Sequence, residues 1–251
     1  MSFLNVQDLN IYYEKSGKKG KAVLLLHGWG QNSSMMAYIA EELKKHFVVY
    51  NLDLPGFGQS DGPKETWGID DYTSFLKEFS EIKKIKDPII IGHSFGCRIA
   101  LNYAYKYPVY KMVLTGAAGI RPKRDLSYYY KVYSYKLMKM ILSIKGLEKI
   151  KEKYMKTVGS SDYKETSGVM RSTFVKVVNE DLRPILKDIS TPTLLVWGEK
   201  DDAVPLEMGK IMEKEMGNAT LVIFEGDDHF AYYHEWVRFN RVLDAYLKED
   251  Y

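Results

Sequence analysis

Two periodicities take turns along the chain. Short apolar runs at Ala22–Leu26, Phe47–Leu52, Pro88–Ile91, Thr193–Trp197 and Thr220–Phe224 read as strands, and the unbroken Ala22–Leu26 run suits a strand covered on both faces. Between them apolar residues fall three and four apart, over Met35–Lys45, Ile69–Ile82, Gly96–Lys106, Leu206–Met216 and Glu235–Leu247, the spacing of helices with one buried face. Phe3–Val6 and Ile11–Glu14 read as an antiparallel pair ahead of the first buried strand. Val113-Leu114 mark one more strand, running into Gly116-Ala117-Ala118-Gly119. Such alternation predicts an α/β fold, a mostly parallel central sheet flanked by helices.

The alternation lapses at Arg121-Pro122. From there to residue 180 the strand signal almost vanishes, and Tyr128, Tyr129, Tyr130, Tyr133, Tyr135 and Tyr154 are interleaved with Leu137, Met138, Met140, Ile141 and Leu142. The expected organisation is one α/β core made of residues 1–120 and 181–251, with residues 121–180 inserted as an all-helical cap, or lid. The apolar residues of that insertion suit a helix stripe facing the core, and a substrate pocket as the alternative. Charge follows the same division. Residues 121–190 carry 16 basic and 8 acidic side chains, a net of +8 on a chain whose total is +3. Lys-rich solvent faces explain this; an anionic partner, substrate or membrane surface is the sharper alternative. Nucleic acid is not expected, because no binding motif accompanies the basic residues.

Composition sets further limits. Hydrophobic residues make up 45% of the chain, enough apolar surface to offset the entropy of ordering, which excludes disorder. No apolar run approaches the roughly 18 residues of a transmembrane segment, and Met1–Asn5 lacks the basic-then-apolar profile of a secretory leader. A single cysteine, Cys97, allows no internal disulfide. The expectation is a soluble, cytoplasmic protein.

The chemistry concentrates in Gly92-His93-Ser94-Phe95-Gly96, placed between the strand Ile89–Ile91 and the helix Gly96–Lys106. A serine flanked by glycines on a tight strand-to-helix turn is lifted clear of the backbone, at the C-terminal edge of the sheet. A serine hydroxyl attacks poorly unless a base takes its proton. His229, in the loop after Thr220–Phe224, is the best-placed base, because it too projects from that edge. His27, His46, His93 and His234 fit less well. The imidazole then needs an acid to fix its tautomer, and Trp197-Gly198-Glu199-Lys200-Asp201-Asp202 offers two adjacent aspartates. Spacing from Gly198 and to Val204-Pro205 favours Asp201 over Asp202. The order Ser94, Asp201, His229 is that of hydrolases built on such a sheet. Oxyanion donors are expected from the backbone N–H groups of Phe95, next to the serine, and Trp29, in His27-Gly28-Trp29-Gly30. Val204 and Phe230 adjoin these residues and are candidate pocket walls. The histidines are dispersed, with no H-x-x-H, H-E-x-x-H or cysteine cluster, so neither a metal nor another cofactor is expected.

With its motifs in the order His27–Gly30, Asp53-Leu54-Pro55-Gly56-Phe57-Gly58-Gln59-Ser60, Gly92–Gly96 and Trp197–Pro205 followed by His229, the chain resembles the α/β-hydrolase fold serine hydrolases, esterase- or lipase-like with a helical cap. The likeness spans nearly everything outside the cap. It implies a structural role for the Asp53–Ser60 loop and hydrolysis through an acyl-enzyme. Serine rather than aspartate at the elbow argues against dehalogenase and epoxide hydrolase chemistry within the same fold. Two positions depart from similar sequences: Cys97 stands where a glycine is common, and Asp228 where a glycine often precedes the histidine. The second is expected to put an extra carboxylate beside His229. Cys97, at a helix N-terminus, reads as a packing residue, with a reactive thiolate as the alternative.

The resulting expectation is a cofactor-independent hydrolase of a small-molecule carboxylic ester, thioester or lactone. Carbon–carbon bond hydrolysis and perhydrolysis on the same machinery stay open. A small-molecule receptor or signalling protein that keeps the fold, with the cap as docking surface, is the alternative from another class.

Overall fold

Eight strands form a single sheet among the residues described by the computed structural model, which are 2–121 and 161–251 with Tyr130, Tyr133, Ser134, Met138 and Met140. The rest of the expected cap, including Tyr128, Tyr129, Tyr135, Tyr154, Leu137, Ile141 and Leu142, lies outside the described residues. In chain order the strands are β1 (Ser2–Val6), β2 (Leu9–Ser16), β3 (Ala22–Leu26), β4 (Val48–Leu52), β5 (Ile89–His93), β6 (Lys111–Thr115), β7 (Thr193–Gly198) and β8 (Ala219–Phe224). Their spatial order is β1-β2-β4-β3-β5-β6-β7-β8. β1 and β2 pair antiparallel, β2 joins β4 antiparallel, and every pairing from β4 to β8 is parallel. β3 is followed in sequence by its neighbour on one side, β4, and then by its neighbour on the other, β5. That reversal opens a crevice beyond the carboxyl ends of β3 and β5, where ligands of open α/β sheets bind.

Helices α1 (Ala37–Leu43), α2 (Ile69–Ile82), α3 (Phe95–Lys106), α4 (Ser161–Glu165), α5 (Gly168–Asn179), α6 (Leu206–Glu215), α7 (Ala231–His234) and α8 (Trp236–Leu247) complete the described architecture. The period-2 alternation of β3 divides its side chains between two cores. Val23 and Leu25 pack with α1 and α8 residues such as Ile39, Leu43, Phe239 and Leu243. Leu24 and Leu26 pack with Phe75 and Phe79 of α2, Ile99 of α3 and Met212 of α6. The α2 face repeats at three and four residues through Ile69, Tyr72, Leu76 and Phe79. Each such side chain contributes about 1.5–3 kcal/mol by leaving water. Asp70 and Asp71 occupy the first turn of α2, where negative charge suits the helix dipole, and Asp71 Oδ2 accepts from the Gly68 N–H at 2.6 Å.

The elements match the sequence pattern with local differences. The expected Met35–Lys45 helix opens as a 3₁₀ turn over Ser33–Met36, because Asn32 Oδ1 accepts the Ser34 N–H at 2.9 Å and tightens the entry. β6 extends beyond Val113-Leu114 because its polar ends are buried by partners: Lys111 Nζ lies 2.6 Å from Asp250 Oδ2, and Thr115 accepts the Ser94 N–H at its carbonyl. The loop after β8 contains the short helix α7, which the sequence pattern, with its last helix over Glu235–Leu247, does not predict. Tyr130, Tyr133, Met138 and Met140 are helical and exposed rather than turned to the core. No helix among the described residues is long and apolar enough to cross a membrane.

Glycine is required on both sides of Ser94. A Cβ on Gly92 would lie 2.9 Å from Cys97 N, and one on Gly96 would overlap the carbonyl oxygen of Leu26 on the neighbouring strand β3. Backbone atoms at that distance cannot yield as a side-chain end does. Gly96→Ala is expected to destabilise the fold by about 3 kcal/mol, lowering the melting temperature by roughly 6–12 °C. Scanning calorimetry of the variant checks this.

Candidate active site

All the parallel strands present their C-terminal ends to one edge of the sheet, and the predicted site residues gather there. Ser94 follows β5, Trp29 lies in the loop after β3, Asp201 in the loop after β7 and His229 in the loop after β8. Ser94, Phe95, Trp29, His229, Val204 and Phe230 line one cavity of about 590 Å³. Asp201 does not line it; it lies beneath His229, fully buried at its side chain. Asp202, the other candidate, is exposed and faces the cavity.

Ser94 has φ 48° and ψ −103°. A non-glycine residue held in such a conformation costs on the order of 1–3 kcal/mol, retained where the surroundings over-determine it. Here the Ser94 N–H donates to Thr115 O at 3.0 Å and its carbonyl accepts the Cys97 N–H at 3.1 Å. Strand β6 and the first turn of α3 therefore hold the turn that presents the hydroxyl.

Asp201 is fixed by its own loop. Its Oδ1 accepts the backbone N–H groups of Ala203 (3.0 Å) and Val204 (2.7 Å), which leaves Oδ2 to accept Nδ1–H of His229 at 2.7 Å. The loop is braced from below by Trp197, whose Nε1–H donates to Val204 O at 2.8 Å. With its proton on Nδ1, His229 keeps Nε2 as a basic nitrogen. The pair packs against Gly116 after β6, where a Cβ would fall 2.9 Å from His229 Nδ1. Asp228 does not add a carboxylate to this imidazole. It accepts the Phe230 N–H at 2.8 Å and lies 3.4 Å from Nδ1 of His234. The turn of the loop directs it to solvent.

Phe95 is the first residue of α3, so its N–H is among the four that have no acceptor within the helix. The loop carrying Trp29 is closed on itself: Gln31 Oε1 accepts the Gly28 N–H at 3.0 Å, and the Gln31 N–H donates to Gly28 O at 3.3 Å. The Trp29 ring packs at 4.8–5.1 Å against Phe57, Phe95 and Phe174.

Three further titratable groups near the serine, Cys97, His93 and His27, are neutral supports. Cys97 is fully buried and its Sγ–H donates to Thr115 O at 3.6 Å; burial pushes the thiol up, away from the thiolate. His93 is buried against the His229 ring, and burial together with that neighbour holds it well below the ordinary histidine range. His27 donates from Nδ1 to Gly28 O (2.7 Å) and accepts the Leu54 N–H at Nε2 (2.9 Å), a pairing that only the neutral ring satisfies. It ties the Trp29 loop to the Asp53–Ser60 loop, where Asp53 accepts the Ser33 and Gln59 N–H groups at 2.7 and 2.8 Å.

Burial lowers the His27 pKa to about 4, against 6.5 for the free side chain. Between those values the unfolded chain binds a proton that the folded chain does not, so this contribution to stability is full above about pH 6.5 and is lost as pH falls through 4. It amounts to about 3 kcal/mol. The stability difference between the wild-type protein and His27→Gln, measured by urea unfolding at pH 7 and pH 4, is expected to shrink by that amount.

Sequence reasoning did not assign His93, Arg98, Phe174, Val177, Val178 and Met208 to this cavity, although all line it. The three α5 residues fall at helical spacing, and only the packing of α5 over the sheet edge gives them a direction.

A parallel sheet with a serine at a strained strand-to-helix turn and an Asp–His pair at the same edge defines a hydrolase of the α/β class. The sequence profile of the alpha/beta hydrolase family matches residues 23–242, and the chain belongs to that family. It is similar to the AB hydrolase superfamily protein YisY of Bacillus subtilis, 27% identical over 94% of this chain and 95% of that one. It is also similar to the 2-hydroxy-6-oxo-6-phenylhexa-2,4-dienoate hydrolase of Comamonas testosteroni, 24% identical over 98% of this chain and 93% of that one. Among solved structures, an esterase from Exiguobacterium antarcticum is similar with a TM-score of 0.76 and 25% identity, covering 98% of this chain and 99% of that chain.

Proposed function

We propose that this hydrolase cleaves carboxylic esters, thioesters or lactones through an acyl-enzyme on Ser94. The observation that carries the reading is the 2.7 Å bond from His229 Nδ1 to a buried Asp201, beside a cavity that Ser94 and His229 share. His229 Nε2 takes the Ser94 proton as Oγ attacks the carbonyl carbon. The oxygen that gains charge is held by the N–H groups of Phe95 and Trp29, each worth about 10²–10³ in rate. As the carbon–oxygen (or carbon–sulfur) bond to the leaving group breaks, His229 returns the proton to it. Water, deprotonated by the same nitrogen, then attacks the acyl carbon and restores the Ser94 hydroxyl. Asp201 holds the tautomer and stabilises the imidazolium. Val204, Phe230 and the α5 side chains form the acyl pocket.

Hydrolysis of p-nitrophenyl esters from acetate to dodecanoate by wild type and Ser94→Ala tests this. The expected result is serine-dependent turnover with an optimum at a short to medium chain, since about 590 Å³ must hold the ester and its attacking water. Turnover that survives the substitution would overturn it. The relative from Comamonas testosteroni favours a second reading, hydrolysis of a carbon–carbon bond. Loss of the 2-hydroxy-6-oxo-6-phenylhexa-2,4-dienoate chromophore at a rate exceeding that of every ester would make that the principal reaction.

A further inference from the structure

The proposed reaction leaves a buried, charged cavity residue unused. Arg98 lines the cavity, yet only 6% of it is exposed. It lies in the first turn of α3, four residues after Ser94 in sequence, and both residues line the same cavity. A guanidinium does not give up its charge at any ordinary pH, and a buried charge is costly unless an opposite charge meets it. Among the described residues Arg98 has no ion pair. Its hydrogen bond goes from Nη1 to the backbone oxygen of Glu180, at 2.8 Å. The Glu180 and Asp181 carboxylates favour its charge from nearby but make no ion pair with it: Glu180 accepts the Ile69 N–H at 3.1 Å, and Asp181 accepts the N–H groups of Arg121 and Arg183 at 3.1 and 3.2 Å. Asp202, the carboxylate that does line the cavity, is on the solvent-exposed loop beside His229. Most of the cavity wall is apolar, with Phe95, Ile120, Phe174, Val177 and Met208. Among the described residues the Arg98 guanidinium makes that one hydrogen bond, which leaves other donors of the fork for a ligand.

The geometry points to Arg98 as the recognition site for a carboxylate on the acyl part of the substrate, so that the preferred substrates are half-esters, or the corresponding lactones or thioesters, of short dicarboxylic acids. This rests on the serine hydrolase reading above. When the acyl group is attached to Ser94, a short chain running along the shared cavity ends at Arg98, where a fork of N–H donors matches both carboxylate oxygens.

Monomethyl glutarate and methyl pentanoate have acyl chains of equal length and differ by the terminal charge, and proton release follows both. The wild-type protein is expected to favour the glutarate ester by at least about 10-fold in kcat/KM, chiefly through KM. In Arg98→Met the ratio is expected to fall to about one, and Arg98→Lys should keep part of it. Circular dichroism establishes that each variant is folded. If Arg98→Met does not fold, the wild type still decides: glutarate should inhibit methyl pentanoate hydrolysis at least about 10-fold more tightly than pentanoate does. Turnover of both esters with a wild-type ratio near one, or a preference unchanged in Arg98→Met, would overturn the inference while sparing the hydrolase. Serine-dependent turnover of neither would overturn both.

Discussion

Ser94→Ala is expected to lower kcat for the preferred ester by about 10⁴–10⁶-fold, with KM and melting temperature close to wild type. In the proposed mechanism the hydroxyl supplies the bond that splits the reaction into two steps, and among the described residues no neighbouring group replaces it. Cys97, three residues on, is buried and its thiol pushed away from ionisation, so it offers no second nucleophile. His93 keeps its place against the His229 ring whether or not the serine is present. The residue that remains at position 94 still has to adopt φ near 48°, and alanine meets the same backbone penalty as serine. The cavity, the helix terminus at Phe95 and the Trp29 loop survive, so a residue of rate enhancement over the uncatalysed reaction persists. Steady-state kinetics with active-site-free controls, alongside thermal melting, checks both halves.

Asp201→Asn is expected to cost about 10⁴-fold in kcat, and Asp202→Asn less than about 3-fold, within the usual range of an exposed substitution. The hydrogen bonds around Asp201 dictate the difference. Its Oδ1 accepts two backbone N–H groups, from Ala203 and Val204, so an asparagine must put its carbonyl oxygen there. The amide NH₂ then points at His229 Nδ1, where Oδ2 had accepted a proton at 2.7 Å. Two donors cannot face one another, so Nδ1 becomes the acceptor and the ring proton moves to Nε2, the nitrogen that has to receive the Ser94 proton. Asp202 has no such partner. Equal losses from the two substitutions would undo the assignment. Parallel kinetics at one pH, with the His229 ring proton followed by NMR, makes the comparison.

Much of this was legible in the chain because backbone geometry there tolerates few residues. Gly92 and Gly96 announce a turn in which any Cβ meets backbone, and the order of Ser94, Asp201 and His229 follows from strand ends that all point one way. The Asp201 loop was legible through its spacing to Val204-Pro205, since the same carboxylate caps the Ala203 and Val204 N–H groups. What pattern missed depends on contacts distant in sequence. Gly116 carries the Asp–His pair on its bare α-carbon, and nothing near it in the chain says so. Asp228 adjoins His229 in sequence yet turns to His234, because neighbours on a tight loop diverge in direction. Arg98 left one readable trace, a charge four residues after Ser94 on a helix whose other positions there are buried and apolar or small. The α5 wall required the tertiary packing of a helix that pattern alone could orient either way.

The most direct test of the account is covalent. Incubation with a fluorophosphonate, followed by intact mass and peptide mapping, captures an activated serine without assuming a substrate. One adduct per chain, on the peptide containing Ser94 and absent from Ser94→Ala, is the predicted result. No adduct under conditions that label another serine hydrolase, or an adduct that persists in Ser94→Ala, would contradict it.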